Sequence, residues 1–178
     1  MKKKVLAICG STRATSSNLN LIHAIADLAG ETFDLEIFDG LTGLPHFNPD
    51  IDHDEPPQAV TEFRQLLKNS DGILICTPEY AMGAPGTLKN ALDWTVSSSG
   101  FSHKPVALIT ASLSGIKAHE SLLATLQMIE ARVTDGTQLL IPFVKTKVNA
   151  EHTITDAQTL AQVQKLILAF ADEMNAPV

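Results

Sequence analysis

Three short stretches hold the residue types from which a binding site can be built. The first, Gly10-Ser11-Thr12-Arg13-Ala14-Thr15-Ser16-Ser17-Asn18, gathers a glycine, an arginine and five hydroxyls between an apolar strand and a helical pattern. A helix N-terminus presents unpaired N–H groups and about half a positive charge, which suits a phosphate. Hydroxyls add donors without bulk, and the planar fork of Arg13 can clamp two phosphate oxygens. Helix capping accounts for one Ser or Asn but not for the whole cluster.

The second stretch follows the apolar run Ile73–Cys76 and reads Thr77-Pro78-Glu79-Tyr80-Ala81-Met82-Gly83-Ala84-Pro85. Pro78 cannot continue a hydrogen-bonded ladder, and Pro85 suits the first turn of a helix. A loop fixed by prolines at both ends, with small residues between, can bring its backbone close to a flat ligand. The third stretch, Ala111-Ser112-Leu113-Ser114-Gly115, also follows an apolar strand.

Other chemistries lack their signatures. The chain contains no G-x-x-x-x-G-K-[ST], no G-x-G-x-x-G, no G-x-S-x-G and no H-E-x-x-H. The six histidines are scattered; His119-Glu120 has no second histidine and is expected on a helix surface, and no metal site is expected. A net charge of −7, with no long basic stripe, argues against nucleic-acid binding. Lys2–Lys4 precede only five apolar residues, too few for a signal-peptide core, and no apolar run approaches a membrane span. A cytoplasmic location is expected. Cys9 and Cys76 each end an apolar strand and are expected as packed free thiols, their sulfurs close together if the strands are neighbours.

The elements that must position these loops alternate along the chain. Val5–Cys9, Phe33–Phe38, Ile73–Cys76, Pro105–Thr110 and Thr137–Val144 read as strands. Helical spacing begins near Leu19, Pro57, Thr87 and Ala118, the last running to Val133; Thr155 is the expected N-cap of a final helix. Residues 39–56, rich in Pro and Gly, fit no element and read as a binding lid or interface arm. Five strands alternating with five helices in one domain, residues 1–178, imply an α/β three-layer sandwich. The flavodoxin-like parallel order 2-1-3-4-5 is expected at this length. Its switch point lies between the first and third strands, which carry the two most distinctive loops.

One phosphate clamp, a flat backbone-lined slot and no nucleophile–base pair together point to a mononucleotide with its own redox chemistry, FMN. At these residues the sequence resembles the NADPH-dependent FMN reductase family, which includes bacterial quinone, chromate and azo-dye reductases. The family pattern G-S-x-R-x-x-S-x-N stands as Gly10, Ser11, Arg13, Ser16 and Asn18. Its P-E-Y-N and P-G-x-L-K-N-A-[IL]-D-W patterns stand as Pro78-Glu79-Tyr80 and Pro85 through Trp94. Leu44–Asp50 and Lys104–Ala107 match as well.

The resemblance implies that Ser11, Arg13, Ser16, Ser17 and Asn18 hold the FMN phosphate. Pro78, Glu79, Tyr80, Ala81 and Met82 would line the isoalloxazine, with Ser112 and Gly115 approaching from the next strand. Backbone N–H groups of Glu79–Ala81 would stabilise negative charge on the reduced ring. It implies a two-step cycle in which NADPH or NADH delivers hydride and a small-molecule acceptor, such as a quinone or flavin, then takes the electrons. No side chain is assigned as acid or base. A homodimer is expected, or a tetramer, with the flavin near the interface. Ala81 stands where the family has Asn, and Leu123 leaves one charge-paired tetramer contact of some members without a counterpart. Two further readings are a flavodoxin-type electron carrier, against which Arg13 counts, and a flavin-binding sensor without turnover.

Overall fold

A computed structural model describes residues 2–177. Its five strands are β1 (Lys3–Cys9), β2 (Phe33–Phe38), β3 (Gly72–Thr77), β4 (Val106–Ser112) and β5 (Gln138–Pro142). They pair in parallel in the order β2-β1-β3-β4-β5. The helices are α1 (Ser17–Ala29), α2 (Gln58–Asn69), α3 (Gly86–Asp93), α4 (Ile116–Met128) and α5 (Ala157–Asn175). The expected three-layer arrangement is present.

The central strands are continuously apolar because both faces are covered. Val5, Ala7, Leu74, Cys76, Ala107 and Ile109 pack towards α1 and α5. Their neighbours Leu6, Ile8, Ile73, Ile75, Val106 and Leu108 pack towards α2, α3 and α4, with Trp94, Phe63 and Phe101 filling that layer. Cys9 and Cys76 are register partners on β1 and β3 and remain free thiols. Burial raises both thiol pKa values, that of Cys76 well above the usual range.

Beyond shifts of one or two residues at element ends, the structure departs from expectation in four places. Helix α4 ends at Met128, and Glu130 turns into left-handed backbone (φ +61°), so that Arg132 bonds beside β4 instead of continuing the helix. Strand β5 stops at Pro142; Phe143 takes φ +55° and starts a short 3-10 turn, Val144–Thr146. Asp156, not Thr155, caps α5, its carboxylate accepting the Thr159 N–H at 2.8 Å. Residues 39–56 contain two 3-10 turns and are strapped down. Asn90 accepts the Phe47 N–H at 2.7 Å and donates to the Pro45 carbonyl at 2.9 Å, while the Trp94 indole N–H donates to that carbonyl at 2.8 Å. Further along, Arg64 pairs with Asp52 at 2.7 Å. No helix among the described residues is long and apolar enough to cross a membrane.

Candidate mononucleotide site

The carboxyl ends of β1, β3, β4 and β5 surround one cleft of about 510 Å³, a size ordinary for a small-ligand site. Gly10 lets two of these ends approach. A Cβ there would lie 2.1 Å from Thr77 Oγ1, and the Gly10 N–H bonds to the Cys76 carbonyl at 2.9 Å. The first wall is the loop into α1: Ser11, Arg13, Thr15, Ser16, Ser17 and Asn18. Arg13 is exposed and has no ion pair among the described residues. Ser16 is buried and caps α1, its Oγ accepting the Leu19 N–H at 3.4 Å.

Asn18 does something different from what the resemblance implies. Its side chain is buried; Nδ2 donates to the Ala111 carbonyl at 3.0 Å and Oδ1 accepts the Cys76 thiol at 3.3 Å. The side-chain amide therefore joins α1 to β3 and β4.

Pro78 and Tyr80 form a second wall, with Ala111, Ser112 and Leu113 beside them. Glu79, Ala81, Met82 and Gly115 stand in the loops that carry these walls, and their contacts set the shape of those loops. The Glu79 carboxylate accepts the Ala118 N–H at 2.9 Å and so supplies the cap that α4 lacks locally. Gly115 precedes α4 at φ +91°, where a Cβ would meet Leu140 Cδ1 at 2.9 Å. Ala81 and Met82 are both left-handed (φ +48° and +63°) between reciprocal Tyr80–Gly83 hydrogen bonds of 2.9 and 3.0 Å. That is the arrangement of a type I′ turn.

The expectation for the Glu79–Ala81 amides needs correction. The Glu79 N–H is taken by Ser112 Oγ at 3.2 Å and the Tyr80 N–H by the Gly83 carbonyl at 2.9 Å. Of the three, only Ala81 N–H has no partner among the described residues.

The last wall, Phe143 to Thr146, goes unseen in the sequence, where Ile141–Val144 looks like continuous strand. The rule that ligands lie beyond the carboxyl ends of strands would have pointed to it. His119 also departs from expectation. It is half-buried, with Nδ1 2.9 Å from Thr110 Oγ1 and Nε2 3.2 Å from Gln138 Oε1. Because Gln138 Oε1 can only accept, Nε2 carries the proton and Thr110 donates to Nδ1.

Among the fifteen lining residues are Arg13 and Lys145 but no Asp or Glu, in a chain of net charge −7. Hydroxyls, two cations, the start of α1 and exposed apolar groups at Tyr80, Leu113 and Phe143 fit FMN, a phosphate joined to a flat ring system.

This fold and cleft define a flavodoxin-like mononucleotide-binding protein. Residues 3–146 match the NADPH-dependent FMN reductase family, and the chain belongs to it. It is 32% identical over 177 residues to a 2-hydroxy-1,4-benzoquinone reductase of a Burkholderia species, covering 96% of both chains. Over 171 residues it is 29% identical to an NAD(P)H-dependent FMN reductase of Pseudomonas aeruginosa, covering 93% of this chain and 92% of that one. Its fold matches the flavoenzyme NAD(P)H:(acceptor) oxidoreductase FerB of Paracoccus denitrificans with a TM-score of 0.87, 27% identity and 97% coverage of each. The chain is an oxidoreductase that works with FMN and a reduced nicotinamide, and the reductase reading stands above that of an electron carrier.

Proposed function

We propose that this protein reduces quinones or similar planar acceptors at the expense of NAD(P)H, with FMN held in the cleft described above. The observation that carries the reading is the acid-free, cationic cleft opening from the N-terminus of α1. Arg13 and the hydroxyls of Ser11, Thr15 and Ser17 bind the phosphate, while Ser16 and Asn18 fix the helix start they surround. Pro78, Tyr80, Ser112 and Leu113 form the walls for the ring, and Glu79, Ala81, Met82 and Gly115 set the shape of those walls.

When bound, FMN supplies the redox chemistry, accepting hydride from the nicotinamide and passing two electrons to the acceptor. Overall, NAD(P)H, a proton and a quinone give NAD(P)⁺ and a hydroquinone. The chain's part is to bind, orient and exclude. The Ala81 and Met82 amides have no partner among the described residues and sit at the tip of the turn beside the Tyr80 wall, so backbone donors remain there for negative charge on a bound ring.

The working unit is a homodimer. Met82 (71% exposed), Leu113 (74%) and Ile116 (49%) are large apolar side chains on the loops after β3 and β4 and at the start of α4, the kind of surface a partner subunit covers. The cytoplasm, which supplies reduced nicotinamide and keeps thiols such as Cys9 and Cys76 free, is its compartment.

The test is titration of the apoprotein with FMN, followed by steady-state NADPH and NADH oxidation with benzoquinone. Arg13→Ala is expected to weaken FMN binding by about 1.5–3 kcal/mol, the scale of a charge-assisted hydrogen bond. Unchanged FMN affinity in that variant would remove Arg13 from the phosphate site. Tight FMN binding without nicotinamide oxidation would favour a carrier or sensor instead.

A further inference from the structure

The turn after β5 supplies a cleft wall of its own. Phe143 takes φ +55°, an uncommon backbone conformation for a bulky aromatic residue, and such residues gather at ligand sites. Burial of its ring does not hold it there, since Phe143 is 58% exposed. Hydrogen bonds do. The Phe143 N–H donates to the Leu113 carbonyl at 3.3 Å, and the Thr146 N–H and hydroxyl donate to the Phe143 carbonyl at 3.0 and 2.9 Å. Val144 and Val148 anchor the segment in the core. Just beyond, the Asn20 amide on α1 donates to the Asn149 carbonyl at 2.9 Å. The turn is thus fastened both to the β4 loop and to the helix whose N-terminus opens the cleft.

Lys145 sits in the middle of this fixed turn. It is exposed, lines the cleft, and has no ion pair or side-chain hydrogen bond among the described residues. Arg13 lines the same cleft, which contains no carboxylate. Two like charges placed around one cavity repel each other until an anion enters. A dianion matches them in charge.

From this arrangement we infer that the Phe143–Thr146 turn is a fourth ligand-binding loop, in which Lys145 binds a phosphate monoester dianion. This rests on the reading that the cleft holds FMN. Two molecules bring such a group to the site: FMN with its 5′-phosphate, and NADPH with its 2′-phosphate. Riboflavin and NADH each lack it.

The experiment compares Lys145→Ala and Lys145→Gln with the unaltered protein. Apoprotein is titrated with FMN and with riboflavin by flavin fluorescence, and KM is measured for NADPH and NADH. The expected result is about a tenfold loss of FMN affinity with riboflavin unchanged, the loss shrinking as salt rises. A tenfold rise in KM for NADPH alone, with FMN affinity intact, would support the inference with the nicotinamide as source of the phosphate. Equal losses for FMN and riboflavin would reveal a disturbed turn and overturn it. So would no effect on any of the four ligands, and if the unaltered protein still binds FMN, the reading beneath survives. Failure of the unaltered protein to bind FMN would overturn both.

Discussion

The Asn18 side-chain amide donates to the Ala111 carbonyl 3.0 Å away, joining the start of α1 to the end of β4. With its oxygen it also accepts the Cys76 thiol, so one buried side chain sets the spacing of the loop into α1 and the strands beside it. Asn18→Ala leaves a buried carbonyl without its donor. A loss of about 1–3 kcal/mol in denaturant unfolding of the apoprotein is expected. FMN and riboflavin affinities should fall together, because the whole cleft shifts. Arg13→Ala should affect FMN alone and leave stability unchanged. If Asn18→Ala weakened FMN selectively at full stability, its amide would be a phosphate ligand after all.

Ala81 occupies a left-handed position (φ +48°) that Asn tolerates better than Ala. An Asn here, as in the P-E-Y-N pattern that the sequence resembles, would therefore have a backbone reason, independent of any contact with the ring. Ala81→Asn is expected to stabilise the fold by about 0.5–1 kcal/mol in chemical denaturation, with FMN affinity within twofold. Destabilisation would refute the turn assignment.

His119 lies between Thr110 and Gln138, where burial lowers its pKa below the ordinary 6.5. The unfolded chain therefore takes up a proton before the folded one does. Stability from this residue is complete above pH 6.5 and is lost as pH falls from there towards the lowered folded value. Unfolding free energies at about pH 7.5 and pH 5.5 should differ more for the wild-type chain than for His119→Asn. Equal differences would mean that His119 gains its proton as easily folded as unfolded.

Asn90 and Trp94 hold the long segment by the backbone of Pro45 and Phe47. Asn90→Ala is expected to cost about 2 kcal/mol and to speed proteolytic cleavage within residues 45–56. FMN affinity should not change. A large loss of affinity would make this segment part of the flavin site.

Much of the fold is legible because β1, β3 and β4 are apolar on both faces, and Gly10–Asn18 and Thr77–Pro85 break those runs abruptly. What stays hidden depends on partners distant in sequence. The polar side chain of Asn18 gives no hint that Cys76 and Ala111 await it inside. Asn90 and Trp94 belong to a recognisable motif, yet their bonds to Pro45 appear only once α3 lies beside that segment. Phe143 adopts left-handed backbone without Gly or Asn to announce it, so the turn bearing Lys145 looks like more strand. His119 looks like helix surface because its burial comes from β4 and β5, not from its own helix.

Turnover of reduced nicotinamide through FMN bound in the cleft is what sets this chain apart from an electron carrier. Its most direct test is anaerobic stopped-flow mixing of the FMN-loaded protein with NADPH, then with NADH, following visible flavin absorbance. Rapid bleaching that reverses on adding benzoquinone is the predicted result, and the faster donor is the preferred one. Flavin that binds but keeps its oxidised spectrum with both donors would show that the chain is not a nicotinamide-dependent reductase.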